Sequence, residues 1–129
     1  MNIELVTVVV VDYDEAIRFF VDALGFDLIE DIPARTTNGR TKRWVVVRPP
    51  GAVTGIVLGR ADPHQKRVIG DQVAGRVGCF LRVDDFAAAY RRMTAAGVRF
   101  DTGPRMETYG QVAVFLDVAG NRWDLLGPA

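Results

Sequence analysis

Among the side chains of this 129-residue sequence that could take part in catalysis or ligand binding, the most notable is Asp124. It follows Arg122 by two residues in a short apolar segment with the composition of a strand. A carboxylate that faces a partly dry cavity costs free energy unless it is paired, and Arg122 or Arg82 could be that partner. Asp124 could therefore be a general base, hold the ammonium group of a ligand, or form a structural salt bridge.

Two aromatic residues could contact a ligand. Trp44 borders the polar segment 33–40 and could stack there on a flat molecule, although a tryptophan in a strand more often belongs to the core. Tyr109 lies in the glycine-bounded segment 103–110, and its hydroxyl could lie over Asp124. An ordinary exposed loop explains that segment equally well. The same segment contains three further residues that could reach a ligand: Arg105, Met106 and Glu107.

Other kinds of chemistry are excluded or disfavoured. The sequence has no serine, which excludes a serine nucleophile, and no glycine-rich phosphate loop. The single cysteine, Cys79, alternates with Gly78 along a predicted strand, so we expect a buried structural thiol packed against a helix. His64 is the only histidine and has no second metal ligand near it in the sequence, so we expect an exposed loop residue.

The composition is that of one ordinary soluble domain, with 49% apolar residues, 25% charged residues and equal numbers of basic and acidic side chains. A net charge of zero provides no field that would attract nucleic acid or an anionic membrane. The apolar N-terminal segment stops at Asp12, far short of a signal sequence or a membrane span. We therefore expect a cytoplasmic protein without nucleic-acid or membrane partners.

Hydrophobic periodicity and turn residues predict two βαβββ modules, 1–59 and 77–129, joined by a polar connector at 60–76. The first predicted strand is continuously apolar apart from Thr7, which favours burial on both faces. The predicted strands are 5–11, 26–31, 43–48, 54–58, 77–83, 98–102, 111–117 and 122–126. The predicted helices run from Asp12 or Asp14 to Leu24 and from 86 to 96, and a glycine ends each of them.

The second module repeats the first. Three residues recur 72 positions later: Ala16, Gly25 and Phe26 as Ala88, Gly97 and Val98. Two copies of a unit of this size favour a duplicated module whose two sheets combine into one curved surface, because a solenoid needs at least three repeats. Such a concave sheet has room for a ligand.

Several segments together resemble a known family: Asp12–Phe20 and Leu24–Phe26 in the first module, and Val83–Asp85, Ala95–Val98 and Asp117–Leu126 in the second. Their order and spacing are similar to those of the vicinal oxygen chelate superfamily, which contains glyoxalase I, extradiol dioxygenases and bleomycin-resistance proteins. The resemblance covers essentially the whole chain. It implies an α+β fold in which two βαβββ modules form a curved mixed sheet around a U-shaped cavity, and commonly a homodimer.

The resemblance also implies where a metal would bind. Metal-dependent members carry four ligands on inward-facing strands, and the corresponding residues here are Leu5, Val57, Gly78 and Asp124. One carboxylate cannot hold a catalytic divalent ion, which needs about three protein ligands. We therefore expect a metal-free protein without a cofactor.

Every second side chain of a strand lies on the same face. If the four metal positions face the cavity, then Thr7, Phe80, Arg82 and Arg122 face it too. By the same parity, Trp123 lies opposite to Asp124 and should pack under the helices. With the two aromatic candidates added, the predicted ligand-binding residues are Thr7, Trp44, Phe80, Arg82, Tyr109, Arg122 and Asp124.

Two functions from different classes remain. The first is a metal-free protein that binds, and possibly sequesters, a planar or cationic small molecule. The second is a lyase, isomerase or dioxygenase-like enzyme of the same superfamily, which would use Asp124 or Glu107 as base, or Asp124 as an anchor. In that case Arg82 or Arg122 would stabilise an oxyanion.

Overall fold

The computed structural model describes residues 1–34 and 39–129, which divide into two compact units: unit 1, Met1–Ile69, and unit 2, Gly70–Ala129. The boundary between the units lies inside the predicted connector. Each unit contains one four-stranded mixed sheet. The predicted polar loop lies partly outside the described residues, because Arg35–Asn38 are not among them.

Unit 1 has the predicted βαβββ order. Its elements are β1 (Leu5–Val10), α1 (Tyr13–Ile17), a π-helical segment (Arg18–Ala23), β2 (Asp27–Ala34), β3 (Lys42–Arg48) and β4 (Gly55–Arg60). The strand order across the sheet is β1-β4-β3-β2, with β1 parallel to β4 and the other pairs antiparallel. A short 3-10 helix, Lys66–Val68, follows the sheet.

Unit 2 repeats this order. Its elements are β5 (Val77–Arg82), α2 (Phe86–Ala95), β6 (Phe100–Glu107), β7 (Gly110–Leu116) and β8 (Arg122–Gly127). The strand order is β5-β8-β7-β6, again with one parallel pair, β5 and β8. The α+β class and the two βαβββ modules are therefore confirmed. No helix among the described residues is long and apolar enough to cross a membrane.

The helices begin where the sequence predicts. The carboxylate of Asp12 accepts a hydrogen bond of 2.8 Å from the backbone N–H of Glu15, and Asp85 caps α2 in the same way through Ala88. The first helical segment reaches the predicted end, since Gly25 follows it with a φ of +80°. Inside it, Leu24 N–H donates to the carbonyl of Phe19, five residues back, which is the wider π-helical spacing.

The core of each unit lies on the face of its sheet that packs against the helical segment. In unit 2 this face carries Phe115, Trp123 and Leu125, all buried, and Met93 of α2 is buried with them. Trp123 is only 3% exposed, which confirms that it packs under the helix. The opposite face of each sheet is called the open face below.

The open faces of the two units correspond strand by strand. In unit 1, Val57 of β4 has Thr7 and Val46 as its Cα partners on the neighbouring strands. In unit 2, Asp124 of β8 has Phe80 and Val114 as its Cα partners. Each set forms one row across three strands, and Val57 and Asp124 hold equivalent positions in the two rows.

Strand β1 is not buried on both faces as predicted. Val8 and Val10 are buried against the helical side, whereas Thr7 on the open face is exposed. Residue type alone does not predict how many faces of a strand are buried, because valine is favourable in a strand whether one face or both are covered.

Two edge strands are longer than predicted. Strand β6 runs to Glu107, so most of the segment 103–110 is strand rather than loop, and only Thr108 and Tyr109 form the turn. Strand β2 likewise continues through Pro33. Both are edge strands, where a proline without an N–H is tolerated because one side of the strand has no ladder partner, and register shifts accommodate the irregular residues of β6.

Candidate functional site

The carboxylate of Asp124 lies at the centre of the open face of unit 2. Strand β8 is flanked on both sides, so Asp124 is half-buried although its face of the sheet is not covered by the helix. Burial raises its pKa, and the positive charges of Arg105 and Arg122 oppose that shift without cancelling it. A carboxylate in this state binds a proton or another cation more readily than an exposed one does.

The two neighbouring arginines are each paired with another carboxylate. Arg105 Nε donates a hydrogen bond of 2.8 Å to Glu107 on the same strand. Arg122 forms an ion pair with Asp101. Arg122, a predicted salt-bridge partner of Asp124, therefore pairs with Asp101 and acts on Asp124 only through its charge. Arg105 was not predicted as a neighbour of Asp124, because the segment that contains it was predicted to be a loop. Arg82, the alternative partner, is not among the charges that shift the pKa of Asp124.

Two aromatic side chains of unit 2 are exposed, and one of them lies directly beside this carboxylate. Phe80 lies beside Asp124 in the β5–β8 pairing and is 63% exposed. Tyr109, in the turn between β6 and β7, is 58% exposed. The pKa of Arg105 is raised mainly by its hydrogen bond to Glu107, with further electrostatic contributions from Tyr109 and Asp124, so this turn lies in the same electrostatic environment.

The open face of unit 1 contains a cavity of about 290 Å³. Its lining combines apolar residues with a few polar groups: Leu5, Ile29, Trp44, Val46, Val53 and Gly55, with Asn2, Glu4, Glu30 and Arg48. Trp44 is 38% exposed, so it lines this cavity and is not a core residue. A tryptophan in a strand more often belongs to the core, but Trp44 does not, because its side chain lies on the open face of the sheet.

A network on the opposite face of the sheet fixes the strand that carries Trp44. The guanidinium of Arg43 donates two hydrogen bonds to Asp31, of 3.0 and 2.7 Å, and one of 2.8 Å to Asp14. It also lies 5.2 Å from the ring centroid of the buried Tyr13. Hydrogen bonding to Arg43 lowers the pKa of Asp31. Sequence reasoning did not find this network, since its members come from three separate elements.

The four superfamily metal positions do not fit a divalent ion. Leu5 and Val57 have no donor atom, and the space beside Gly78 is filled by Val73, whose Cγ2 atom would lie 2.9 Å from an added Cβ. Asp124 is the one position with an oxygen ligand. Within residues 1–34 and 39–129, no group of three or more histidine, cysteine or acidic side chains is arranged to hold a metal.

The remaining candidate side chains lie away from this chemistry. Cys79 is half-buried on the helix side of β5, and burial raises its pKa to about 11, with Asp117 adding to the shift. A thiol with that pKa is a poor nucleophile at neutral pH. His64 is exposed, as expected, in a turn where its backbone N–H donates to Asp62.

Known proteins match both the sequence and the fold. An uncharacterized protein of Shewanella frigidimarina (strain NCIMB 400) is 50% identical over 123 residues, which cover 94% of this chain and 89% of that protein. Among solved structures, UcmS2 superimposes with a TM-score of 0.83 at 29% identity, covering 98% of this chain and 97% of that one. TnmS3, an antibiotic binding protein from Streptomyces sp. CB03234, gives a TM-score of 0.78 at 33% identity, covering 100% and 97%. The family described as Glyoxalase/Bleomycin resistance protein/Dioxygenase superfamily matches residues 2–125, and the chain belongs to that superfamily.

Proposed function

We propose that the protein binds a planar or cationic organic molecule, without a metal ion, and holds it chemically unchanged. The observation that carries this proposal is the cavity of about 290 Å³ with Trp44 in its wall. Its size is just below the range of about 300–1,000 Å³ that is typical of small-molecule pockets. An indole ring in an apolar wall offers a large flat surface on which a planar molecule can stack.

The open face of unit 2 supports the same class of function. The exposed ring of Phe80 next to the half-buried carboxylate of Asp124 provides apolar contact area together with one charged group, which is the usual composition of a small-molecule site. The similarity to TnmS3, an antibiotic binding protein, adds support from a related chain. The residues we assign to ligand contact are Thr7 and Trp44 in unit 1, and Phe80, Arg82, Tyr109, Arg122 and Asp124 in unit 2.

Native mass spectrometry of protein gently purified from its source is the first test. We expect a homodimer that carries an unmodified organic molecule and no metal. The mass of that molecule would identify the ligand for all later titrations. A stoichiometric transition metal would contradict the proposal and would favour a metal-dependent reaction instead.

Replacement of Trp44 by alanine tests the role of the cavity. Loss of the stacking surface should weaken binding at least about tenfold, which corresponds to about 1.4 kcal/mol. Trp44→Phe should retain part of the affinity, because phenylalanine keeps a smaller aromatic face. Val11→Ala, at an exposed residue beyond the cavity lining, is the control and should bind normally. If Trp44→Ala binds the ligand as tightly as the wild type does, this cavity is not part of the binding site.

The raised pKa of Asp124 favours a second candidate function, that of a metal-independent lyase or isomerase. A carboxylate with a raised pKa is a better general base, and Arg105 or Arg122 could stabilise an oxyanion beside it. The two functions separate when the purified protein is incubated with a large excess of the identified molecule. A binding protein returns all of it unaltered, whereas an enzyme converts many equivalents, and Asp124→Asn should abolish that turnover.

A further inference from the structure

We propose that the ligand carries a positive charge on an alkylated or ring nitrogen, and that Asp124 together with the ring of Phe80 recognises this charge. The inference rests on the proposed binding function and adds to it the chemical class of the ligand and the residue that determines specificity. It follows from how the charges on the open face of unit 2 are paired.

Both arginines that act on Asp124 form their ion pairs with other carboxylates. Arg105 is held by Glu107 at 2.8 Å, and Arg122 is held by Asp101. Within the part of the chain that the structure describes, no side chain forms a hydrogen bond or ion pair with Asp124 itself. Asp124 is therefore the carboxylate of this cluster that has no countercharge of its own.

One more charged group shares this face. Arg82 is exposed, and its Cα partner is Leu126, so it lies two residues beyond the Phe80–Asp124 pair along the parallel strands. Two residues of a strand correspond to about 6.6 Å. The charges that act on Asp124 are those of Arg105 and Arg122, so Arg82 leaves the position beside Asp124 open to a ligand cation.

Partial burial makes this missing countercharge costly. The loss of water around Asp124 outweighs the attraction of the two arginines, since its pKa is raised overall. A bound cation would supply direct pairing at a site where water no longer screens the charge fully. Binding would thus gain free energy from a group that the unliganded protein leaves underpaired.

Phe80 gives the site its preference for an organic cation. It lies directly beside Asp124 on the neighbouring strand, a distance of about 4.8 Å between strand axes. Its ring is largely exposed, so a ligand can cover its face. Aromatic faces attract cations, and alkylated ammonium groups are recognised by aromatic rings in this way. A metal ion or a simple ammonium ion is more strongly hydrated, so it must lose more hydration free energy to contact such a ring.

Three probes of nearly equal shape and different charge test the inference: N-methylquinolinium, 1-methylnaphthalene and 1-naphthoate. Isothermal titration at low salt measures the affinity of each for the full chain. We expect the cation to bind at least about tenfold more tightly than the neutral probe, and the anion to bind most weakly. Asp124→Asn should reduce the preference for the cation over the neutral probe to about twofold or less, and the ratio of the two affinities is the readout.

Asp84→Asn is the matched control for charge. It removes one negative charge at an exposed residue before α2, so any effect of net charge alone appears equally in both variants. Phe80→Leu keeps apolar area but removes the aromatic face, and it should lower the affinity for N-methylquinolinium more than that for 1-methylnaphthalene. Circular dichroism of each variant confirms that it is folded.

The outcomes separate this inference from the proposed function. Equal affinity for the cation and the neutral probe would overturn the inference and leave a neutral-ligand binding protein. A preference for the cation that survives in Asp124→Asn would show that another group recognises the charge, and tightest binding of the anion would show that the arginines dominate. If none of the probes binds at millimolar concentration while the native ligand binds, the ligand class is wrong. If no organic ligand of any kind binds, the proposed function itself fails.

Discussion

The open faces of the two units differ far more than their helix faces do. On the helix side, Val47 and Ile56 of unit 1 and Phe115 and Trp123 of unit 2 are all apolar and buried. On the open side, Val57 of unit 1 stands where unit 2 has Asp124. The helix side forms the core, where a charge would lose its hydration and destabilise the fold. The open side is free of that constraint, so its chemistry can differ between two copies of one scaffold.

The turns that join the last two strands of each unit differ as well. In unit 2 the buried carboxylate of Asp117 accepts four hydrogen bonds: from the backbones of Ala119 and Asn121 and the side chains of Asn121 and Trp123. In unit 1 the corresponding turn is held by the backbone bond from Ala52 to Pro49 and by the hydroxyl of Thr54. In unit 2, therefore, a single carboxylate accepts all four of these hydrogen bonds.

Replacement of Phe115 by alanine should have the largest effect on stability. The side chain is fully buried, with ring centroids 5.9 Å from Phe100 and 5.5 Å from Trp123. Truncation of such a side chain lowers the free energy of unfolding by about 3–5 kcal/mol. Val47→Ala, at the equivalent position of unit 1, should cost less because fewer atoms are removed. Urea unfolding measures both, and equal losses would contradict the expectation that the larger side chain contributes more to the core.

Asp117→Asn should come next, with a loss of about 2–4 kcal/mol in the free energy of unfolding, since a neutral amide offers one acceptor oxygen and turns its NH₂ group toward other donors. Near-ultraviolet circular dichroism should change too, because Trp123 loses its hydrogen bond of 3.0 Å. Thr54→Val removes the single exposed hydroxyl bond of the unit 1 turn and should cost at most about 1 kcal/mol. Equal losses in the two variants would show that the two turns depend equally on their side chains, contrary to this expectation.

Val57→Asp tests whether the open face of unit 1 tolerates the carboxylate of unit 2. The neighbouring residues in its row, Thr7 and Val46, carry no charge, so the new group would be partly desolvated without the arginines that surround Asp124. We expect a loss of about 1–3 kcal/mol at neutral pH. Val57→Asn has nearly the same shape and no charge. If the aspartate variant is as stable as the asparagine variant at pH 7, the two open faces are electrostatically alike.

Asp124→Asn should have the smallest effect on stability, and it should be favourable. The pKa of Asp124 is raised above its ordinary value of 3.8, so the stability that its protonated form contributes is lost as the pH rises through the folded-state pKa. The variant lacks this loss and should gain up to about 0.5 kcal/mol at pH 7. Thermal unfolding measured from pH 3 to pH 7 should show the difference vanish at low pH. A variant that is less stable than the wild type at pH 7 would show that Asp124 has a structural partner.

Local sequence patterns predicted the framework of both units. Periodicity and turn residues, which act between near neighbours in the chain, predicted the order of strands and helices and the buried position of Trp123. They also predicted the helix caps at Asp12 and Asp85 and the helix ends at Gly25 and Gly97. The bounds of the edge strands β2 and β6 did not follow, because prolines and glycines predict loops unless an edge position makes them harmless.

The sequence by itself determined the fold, the duplication and the parity that directs Asp124 and Trp123 to opposite faces of one strand, since these depend on contacts between near neighbours and on the burial of apolar side chains. Only the tertiary structure decided that Arg105 lies beside Asp124 and is already paired, and that Trp44 lines a cavity. Register shifts between strands set those distances, and a shift of one residue moves a side chain to the opposite face. The proximity of Arg105 to Asp124 therefore depends on strands that are far apart in the chain.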